Sequence, residues 1–166
     1  MAMLFLLFQV GKERYALEAS RVVEVVPLLN MKTIPRAPKG VAGLFNYRGR
    51  PVPAVDLGEL VLNSPAEDLL STRIIIINYP DARGIGHLLG LIAGQATSTF
   101  RKDAADFADP NLRISAAPYL GPVLMDGESV VQWVHEQRLL PDKVRDLLFP
   151  EAARQSKRCI PPSRRV

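Results

Sequence analysis

Short apolar runs separated by turn-forming residues are the feature that most constrains the fold of this chain. Gly, Pro, Asn, Asp or charged residues lie between successive runs, and each run is too short for an ordinary buried helix. The runs cover residues 3–10, 14–17, 22–26, 51–55, 73–78, 87–92, 122–125 and 129–134. Many short strands with turn signals between them indicate an all-β barrel or sandwich.

Two of these segments predict specific β-structure. Residues 73–78 include four consecutive isoleucines, from Ile74 to Ile77, and would be hazardous as an exposed edge strand. We therefore expect a central strand that is buried on both faces. Asp126 and Gly127 lie between two further runs, and Asp-Gly is favoured in type I′ turns, which predicts a tight hairpin there.

Three short helices are also expected. Residues 17–23 can form one or two turns. Ser64, Pro65 and Glu67 have the spacing of an N-cap, a first helical position and a capping box. Near the C-terminus, residues 142–148 carry apolar side chains at helical spacing behind Asp142, and this helix is expected to pack on the β-barrel structure.

The 166 residues fit one domain that buries about two thirds of its unfolded surface, and we assign residues 1–150 to it. Residues 151–166 form a basic tail whose Pro161-Pro162 pair and low apolar content predict disorder. The charged residues of this tail are Arg154, Lys157, Arg158, Arg164, Arg165 and Glu151. The tail therefore accounts for the whole net charge of +4.

The position of the charge bears on possible partners. Of 21 basic and 17 acidic side chains, 5 and 1 lie in the tail, which leaves 16 of each in the body. A neutral body lacks the basic face that phosphate binding requires. We therefore expect no nucleic-acid partner.

Cysteine usage and hydropathy indicate the compartment. Cys159 is the single cysteine, so no intrachain disulfide forms and a reducing environment is expected. No apolar run reaches the roughly 18 residues that span a bilayer, and residues 1–10 lack the basic start and cleavage site of a secretory signal. These features predict a cytoplasmic protein that reaches a membrane only through a partner.

Residue types that carry catalysis are scarce. His87 and His135 are the only histidines, and neither has metal-ligand spacing. The chain has no Gly-x-Ser-x-Gly motif, and Gly84-Ile85-Gly86 lacks the third glycine of a dinucleotide site. We expect no enzymatic activity, no metal and no cofactor, and we interpret both histidines as surface or hydrogen-bonded strand residues.

Arg48 lies in a turn between two apolar runs, next to Asn46 and Gly49. Gly has no Cβ and Asn tolerates the left-handed conformation, so the chain can reverse here and project the guanidinium outward. Such a group suits a carboxylate or carbonyl of a protein partner. Alternatively, Arg48 pairs with Glu24 or Asp56 within the chain and only ties two strands together.

Glu24 lies among valines, next to Val25 and Val26. Alternation along a strand would bury some of these valines and leave others beside the carboxylate. This segment is either part of a contact surface or an ordinary strand with one outward acid.

The stretch from residue 40 to residue 57 resembles the signature of CheW-like coupling proteins. The family pattern is Gly-Val-x-Asn-x-Arg-Gly-x-x-x-Pro-x-x-Asp-Leu. This chain matches it at Gly43, Asn46, Arg48, Gly49, Pro53, Asp56 and Leu57. The resemblance extends upstream through residues 5–8, 15–17 and 21–26, and more weakly downstream to about residue 140.

The resemblance implies a mainly β fold of two small five-stranded SH3-like β-barrels that share a hydrophobic interface. It also implies a non-catalytic adaptor that couples the cytoplasmic signalling domain of a chemoreceptor to a CheA-like histidine kinase in a bacterial two-component pathway, with other CheW-like proteins as further partners. The implied protein-binding residues are Glu24, Val25, Val26, Asn46, Arg48 and Gly49. The implied structural residues are Gly43, Pro53 and Asp56.

Two departures from the family pattern lie in the second half of the chain. Gly94 stands where the family commonly has an acid, and His135 replaces the Asp of a frequent Leu-Asp-Leu segment. We interpret the neighbouring Trp133 as a core residue. The departures favour a divergent, Wsp-type paralogue.

Two other functions are compatible with a small β-barrel. A small β-barrel can bind single-stranded nucleic acid, but this needs a charged groove with exposed aromatic side chains. A β-barrel can also carry an apolar ligand in its interior. The neutral body and the low aromatic content argue against the nucleic-acid function, whereas denaturation that is insensitive to small hydrophobic ligands would count against the carrier.

Overall fold

The computed structural model describes residues 2–150, which form nine strands and two α-helices. The strands are β1 (Ala2–Val10), β2 (Glu13–Glu18), β3 (Val22–Pro27), β4 (Val41–Tyr47), β5 (Arg50–Asp56), β6 (Thr72–Pro80), β7 (Gly86–Asp103), β8 (Leu120–Asp126) and β9 (Ser129–Val134). The helices are α1 (Leu57–Leu62) and α2 (Asp142–Leu148). The expectations for Cys159 and the tail at 151–166 concern residues outside this described part.

Strand β7 joins two barrels because it changes partners along its 18 residues. Its first half pairs antiparallel with β6 and, over a short stretch, parallel with β5. Its second half pairs antiparallel with β1. Barrel one therefore has the order β3-β6-β7-β5-β4 and barrel two the order β7-β1-β2-β9-β8. The predicted pair of five-stranded SH3-like barrels is confirmed.

The isoleucine run in β6 is buried on both faces, as predicted. All four isoleucines are fully buried. Ile74 and Ile76 point into barrel one, whereas Ile75 and Ile77 belong to the cluster between the barrels. Strand alternation thus divides one apolar run between two cores.

Three hydrophobic clusters stabilise this arrangement. Barrel one is filled by Phe45, Val52, Ala54, Ile74, Ile76 and Ile92. Barrel two is filled by Phe5, Ala16, Phe107, Leu124, Val131 and Trp133. The third and largest cluster takes side chains from both barrels and forms the predicted shared interface. Trp133 is a core residue, as expected, and side chains occupy both barrel interiors where an apolar ligand would have to bind.

The helices differ in part from the predictions. Residues 17–23 contain only a 3₁₀ turn, Ala19–Arg21. The helix predicted at Ser64 does not form, and α1 begins earlier, after Asp56. Helix α2 has the predicted bounds, although Leu147 is 65% exposed. Neither helix in the described part is long and apolar enough to cross a membrane.

The β8–β9 hairpin forms where it was predicted, but with a different turn. Asp126 pairs with Ser129, so Gly127 and Glu128 are the two loop residues. Only Gly127 of these two has a positive φ, of +64°. That pattern belongs to a type II′ turn and not to the expected type I′, because Gly127 occupies the first loop position and Asp126 remains in the strand.

Candidate protein-binding surface

The β4–β5 hairpin carries the central residues of the sequence motif. Tyr47 pairs with Arg50, which leaves Arg48 and Gly49 as a two-residue loop. Both loop residues have positive φ, +52° for Arg48 and +85° for Gly49, as a type I′ turn requires. Asn46 was expected to tolerate this conformation, but it lies in β4, and its Oδ1 accepts a hydrogen bond of 2.7 Å from the Gly49 N–H.

The left-handed backbone at Arg48 is unfavourable. Gly, Asn and Asp are preferred at this position, because a larger L-residue brings its Cβ close to the following carbonyl, at a cost of roughly 1–2 kcal/mol. Backbone outliers that the surrounding structure maintains are often found at functional sites. Arg36, Asn63, Gln95 and Asn111 also have positive φ, so the hairpin tip is a candidate site because this conformation coincides there with the contacts described next.

Glu24 on β3 meets this hairpin tip through two hydrogen bonds to one oxygen. The Arg48 Nη2 donates to Glu24 Oε1 at 2.9 Å, and the Tyr47 hydroxyl donates to the same oxygen at 2.6 Å. The Arg48 guanidinium also lies 5.2 Å from the centre of the Tyr47 ring. We call Glu24, Tyr47 and Arg48 the hairpin-tip cluster.

The two alternatives considered for Arg48 are both partly realised. It forms an internal ion pair with Glu24, and not with Asp56, yet its side chain stays 74% exposed. The hydrogen bond to Glu24 raises the pKa of Tyr47 above its usual 10.0, so the phenol is protonated at neutral pH and available as a donor. The cluster combines an exposed guanidinium with a fixed local partner.

The valines of β3 are less exposed than a contact surface would suggest. A β-bulge between Val22 and Glu24 interrupts the alternation. Val25 packs against the cluster between the barrels and Val26 against the core of barrel one, so both are only partly accessible. Val23 is 43% exposed and lies beside Glu24, although strict alternation gave no reason to select it.

Tyr47 was also missed by the sequence reasoning. Its position directly before Arg48 is plain in the sequence. However, Tyr47 and Glu24 lie on different strands, and the sequence does not show how far apart these strands are. Only the crossing of β3 and the hairpin tip in barrel one brings them together. An aromatic residue directly before a turn cation is the signal that could have drawn attention to it.

Gly43 and Pro53 of the motif lie opposite each other's strands in the β4–β5 pair of barrel one. A Cβ on Gly43 would lie 2.4 Å from the carbonyl oxygen of Lys32, which bridges to Leu44 and helps close barrel one. Pro53 pairs with Leu44 just before Ala54, where β5 begins to pair with β7. A proline here therefore removes no hydrogen bond from the β5–β7 ladder.

Asp56 organises the turn that follows β5. Its Oδ1 accepts hydrogen bonds from the N–H groups of Gly58 at 2.8 Å and Glu59 at 3.3 Å, which caps α1. Its carboxylate also accepts from the N–H of Ala66 at 3.0 Å. This second contact holds the loop around Ser64 in a non-helical conformation, which explains why no helix begins there.

The two histidines lie in local contacts of the fold. His87 Nε2 bonds to Asp81 Oδ2 at 2.9 Å, as expected for a hydrogen-bonded strand histidine. His135 is partly buried, and burial lowers its pKa below 6.5. Within residues 2–150, no group of three or more His, Cys, Asp or Glu side chains has the arrangement of a metal site.

A cleft of about 330 Å³ lies on another face of the molecule, where β7 passes from barrel one to barrel two. Its walls come from the β1–β2 turn, α1, residues 64–72 and the middle of β7. Leu62 and Leu69 line it and are 43% and 54% exposed. It is a groove between the barrels with mixed walls, since Lys12, Glu67 and Gln95 line it beside the leucines, and it shares no lining residue with the hairpin-tip cluster.

Comparison with known proteins places this geometry in context. The family model described as "CheW-like domain" matches residues 4–144. The chain is 28% identical over 144 residues to the chemotaxis protein CheW of Treponema pallidum (strain Nichols). The aligned region covers 82% of this chain and 81% of that protein. It is 28% identical over 107 residues to the chemotaxis protein CheW of Helicobacter pylori (strain ATCC 700392 / 26695), which covers 64% and 61%.

The fold is shared with a solved structure. The scaffolding protein TtCheW from Thermoanaerobacter tengcongensis superposes with a TM-score of 0.75 at 22% sequence identity. The superposition covers 87% of this chain and 91% of that chain.

Proposed function

Because the chain belongs to the CheW-like domain family, we propose that it is a non-catalytic adaptor that couples a chemoreceptor's cytoplasmic signalling domain to a CheA-like histidine kinase. The observation that carries the proposal is the hairpin-tip cluster, which lies within the family match and keeps a 74% exposed guanidinium next to a half-exposed carboxylate. These are groups that recognise polar side chains and backbone carbonyls of proteins.

The mechanism is positional. An adaptor that binds receptor and kinase together raises the effective concentration of the kinase at the receptor, without any chemistry of its own. If its affinity for the kinase differs between receptor states, the receptor's conformation biases the kinase in turn. Neither step needs a metal or cofactor.

Two surfaces of the molecule suit two partners. The hairpin-tip cluster, with Val23 beside it, combines polar groups with a small apolar patch. The groove between the barrels combines exposed leucines with polar and charged side chains, and it suits the tip of a helical hairpin, the form expected of a receptor signalling domain. Partner interfaces of this kind take most of their binding energy from a few side chains.

The proposed adaptor acts in the cytoplasm and is recruited to receptor arrays by its partners, and other CheW-like proteins can occupy neighbouring positions in such an array. Gly94 pairs with Gln9 of β1 and Thr72 of β6, at the point where β7 passes between the barrels, and His135 directly follows β9 of barrel two. We attribute to them the specialisation of a divergent, Wsp-type paralogue for its own receptor and kinase.

The test is co-purification with the receptor signalling domain and the histidine kinase encoded beside this protein's gene. The variants are wild type, Arg48→Ala and, as a matched control, Arg113→Ala. Arg113 is 76% exposed and paired with Asp109 at 3.0 Å, so it resembles Arg48 in exposure and pairing but lies in the loop before β8.

The proposal expects both partners to bind the wild type and the control, and at least one to bind Arg48→Ala more weakly. Intact assembly with Arg48→Ala would assign the arginine to the scaffold alone. Absence of binding by the wild type would overturn the adaptor function.

A further inference from the structure

Tyr47 is the rigid member of the hairpin-tip cluster. It packs against the core of barrel one, whereas Arg48 and Glu24 have long side chains that are 74% and 37% exposed. An exposed ion pair between two such side chains usually samples several geometries and contributes little by itself. A tyrosine has only two side-chain torsions, so it loses less entropy on being fixed.

The phenol constrains both charged groups at once. Its hydroxyl donates to the same Glu24 oxygen that Arg48 uses, at 2.6 Å, and its ring lies under the guanidinium at 5.2 Å. Glu24 is therefore held from one side by a group anchored in the core, and Arg48 is held by Glu24 and by the aromatic face. Without the hydroxyl, Arg48 would be the only one of these two donors left to Glu24, and its long, exposed side chain is mobile.

The backbone of Arg48 is consistent with this arrangement. Arg48 occupies the first loop position of the turn in the left-handed conformation, at φ +52°. Asn or Gly would be less strained at this position. The only hydrogen bond recorded for its guanidinium in the described part of the chain is the one from Nη2 to Glu24. The other N–H donors are left to face a partner.

We propose that Tyr47 is a positioning residue that fixes the Glu24 carboxylate and the Arg48 guanidinium before a partner binds. This inference rests on the proposed function, because it assumes that the partner contacts Arg48. Binding then costs less entropy, since the two charged side chains are already ordered.

The test compares Tyr47→Phe, which removes only the hydroxyl, with Tyr47→Leu, which also removes the ring, and with Arg48→Ala. Calorimetry measures the affinity of each for the receptor signalling domain and for the kinase. NMR of the Arg48 Nε–Hε group in the free protein reports whether the guanidinium is fixed or rotates freely. Thermal unfolding confirms that each variant is folded.

We expect Tyr47→Phe to weaken binding of the partner that contacts Arg48 by about tenfold, as loss of a hydrogen bond to a charged group predicts. Tyr47→Leu should weaken it further. The Arg48 guanidinium should be fixed in the wild type, less ordered in Tyr47→Phe, and least ordered in Tyr47→Leu, which also lacks the ring.

Two results would overturn the inference, and they are distinguishable. If Arg48→Ala weakens binding while Tyr47→Phe does not, or if the guanidinium stays fixed in Tyr47→Phe, then Tyr47 has no positioning role and the adaptor function stands. If Arg48→Ala leaves the affinities for both partners unchanged, the binding surface proposed above fails and the inference fails with it.

Discussion

His87 stacks on Phe149, with ring centres 4.8 Å apart and planes 14° from parallel. This contact joins the β6–β7 hairpin of barrel one to the end of α2. The same imidazole bonds to Asp81, whose buried carboxylate also accepts from Arg83 Nη2 at 2.8 Å and from the N–H groups of Arg83 and Ile85. One carboxylate thus organises both the hairpin loop and the surface on which α2 docks.

Replacing Asp81 should make stability depend less on pH. The hydrogen bond from His87 is the largest cause that holds the pKa of Asp81 well below 3.8, with Arg83 adding to it. A carboxyl group whose pKa is lower in the folded state stabilises the fold above its unfolded pKa, and this contribution is lost as pH falls through the folded pKa.

We therefore expect Asp81→Asn to lower the free energy of unfolding at pH 7 and to differ less from the wild type as the pH is lowered from about 5 toward 2. Urea denaturation across this range measures the difference. A constant difference at every pH would show that Asp81 acts through shape and not through charge.

Glu136 should show the opposite pH dependence. It is 4% exposed, its nearest cation is Arg21 Nε at 3.8 Å, and burial raises its pKa above 4.5. The folded state then holds this proton more tightly than the unfolded state, so stability falls as pH rises from the unfolded pKa through the folded one.

Glu136→Gln removes this ionisation and should stabilise the protein at pH 7 relative to the wild type, with little difference at pH 4. Denaturation at the two pH values checks this. If the variant is less stable than the wild type at pH 7, the ion pair with Arg21 outweighs the cost of burial.

The backbone at Arg48 predicts a separation of stability from binding. Asn tolerates the left-handed conformation, so Arg48→Asn should keep the free energy of unfolding or raise it by up to about 1 kcal/mol, while binding to the partner weakens. Arg48→Val is the matched control, since a β-branched residue is poorly suited to this conformation and should lower stability. A loss of more than about 2 kcal/mol in Arg48→Asn would mean that the arginine serves the fold.

Adding a methyl group should lower the free energy of unfolding at Gly43 of the motif but leave it nearly unchanged at Gly94 of β7. Gly43→Ala places a Cβ 2.4 Å from the Lys32 carbonyl oxygen, and we expect a loss of about 1–3 kcal/mol. Gly94→Ala is the control, because its Cβ would come no closer than 3.6 Å to Gln9, and we expect a change within about 0.5 kcal/mol. Equal losses in chemical denaturation would contradict this account.

The candidate site could be predicted only in part, and the residues show why. Arg48 was predicted from the motif and Glu24 from the valine-rich segment upstream of it, and their pairing was one of two alternatives left open. Tyr47 and Val23 were missed, because their roles depend on a β-bulge in β3 and on how β3 crosses the hairpin tip. Neither feature leaves a local pattern in the sequence.

The predictions of a helix at Ser64 and of a type I′ turn at Gly127 were wrong for a related reason. Ser64 has every local signal of a helix start, but Asp56, ten positions before Ala66, accepts the Ala66 N–H and holds the loop open. Likewise, Gly127 takes the first position of its turn, although Asp-Gly favours another type. Local preferences of about 1 kcal/mol are easily outweighed by a single tertiary hydrogen bond or by strand register.

By itself, the sequence determined the mainly β fold, the central position of the isoleucine run and the reversal of the chain at Arg48. These follow from hydrophobic patterning and from turn chemistry, which act between near neighbours in the chain. The tertiary structure alone decided that Ile74 and Ile75 serve different cores, that Asp56 caps α1, and that Glu24 meets Tyr47 and Arg48. Those outcomes depend on contacts between distant segments, and their geometry is set only when β7 closes both barrels at once.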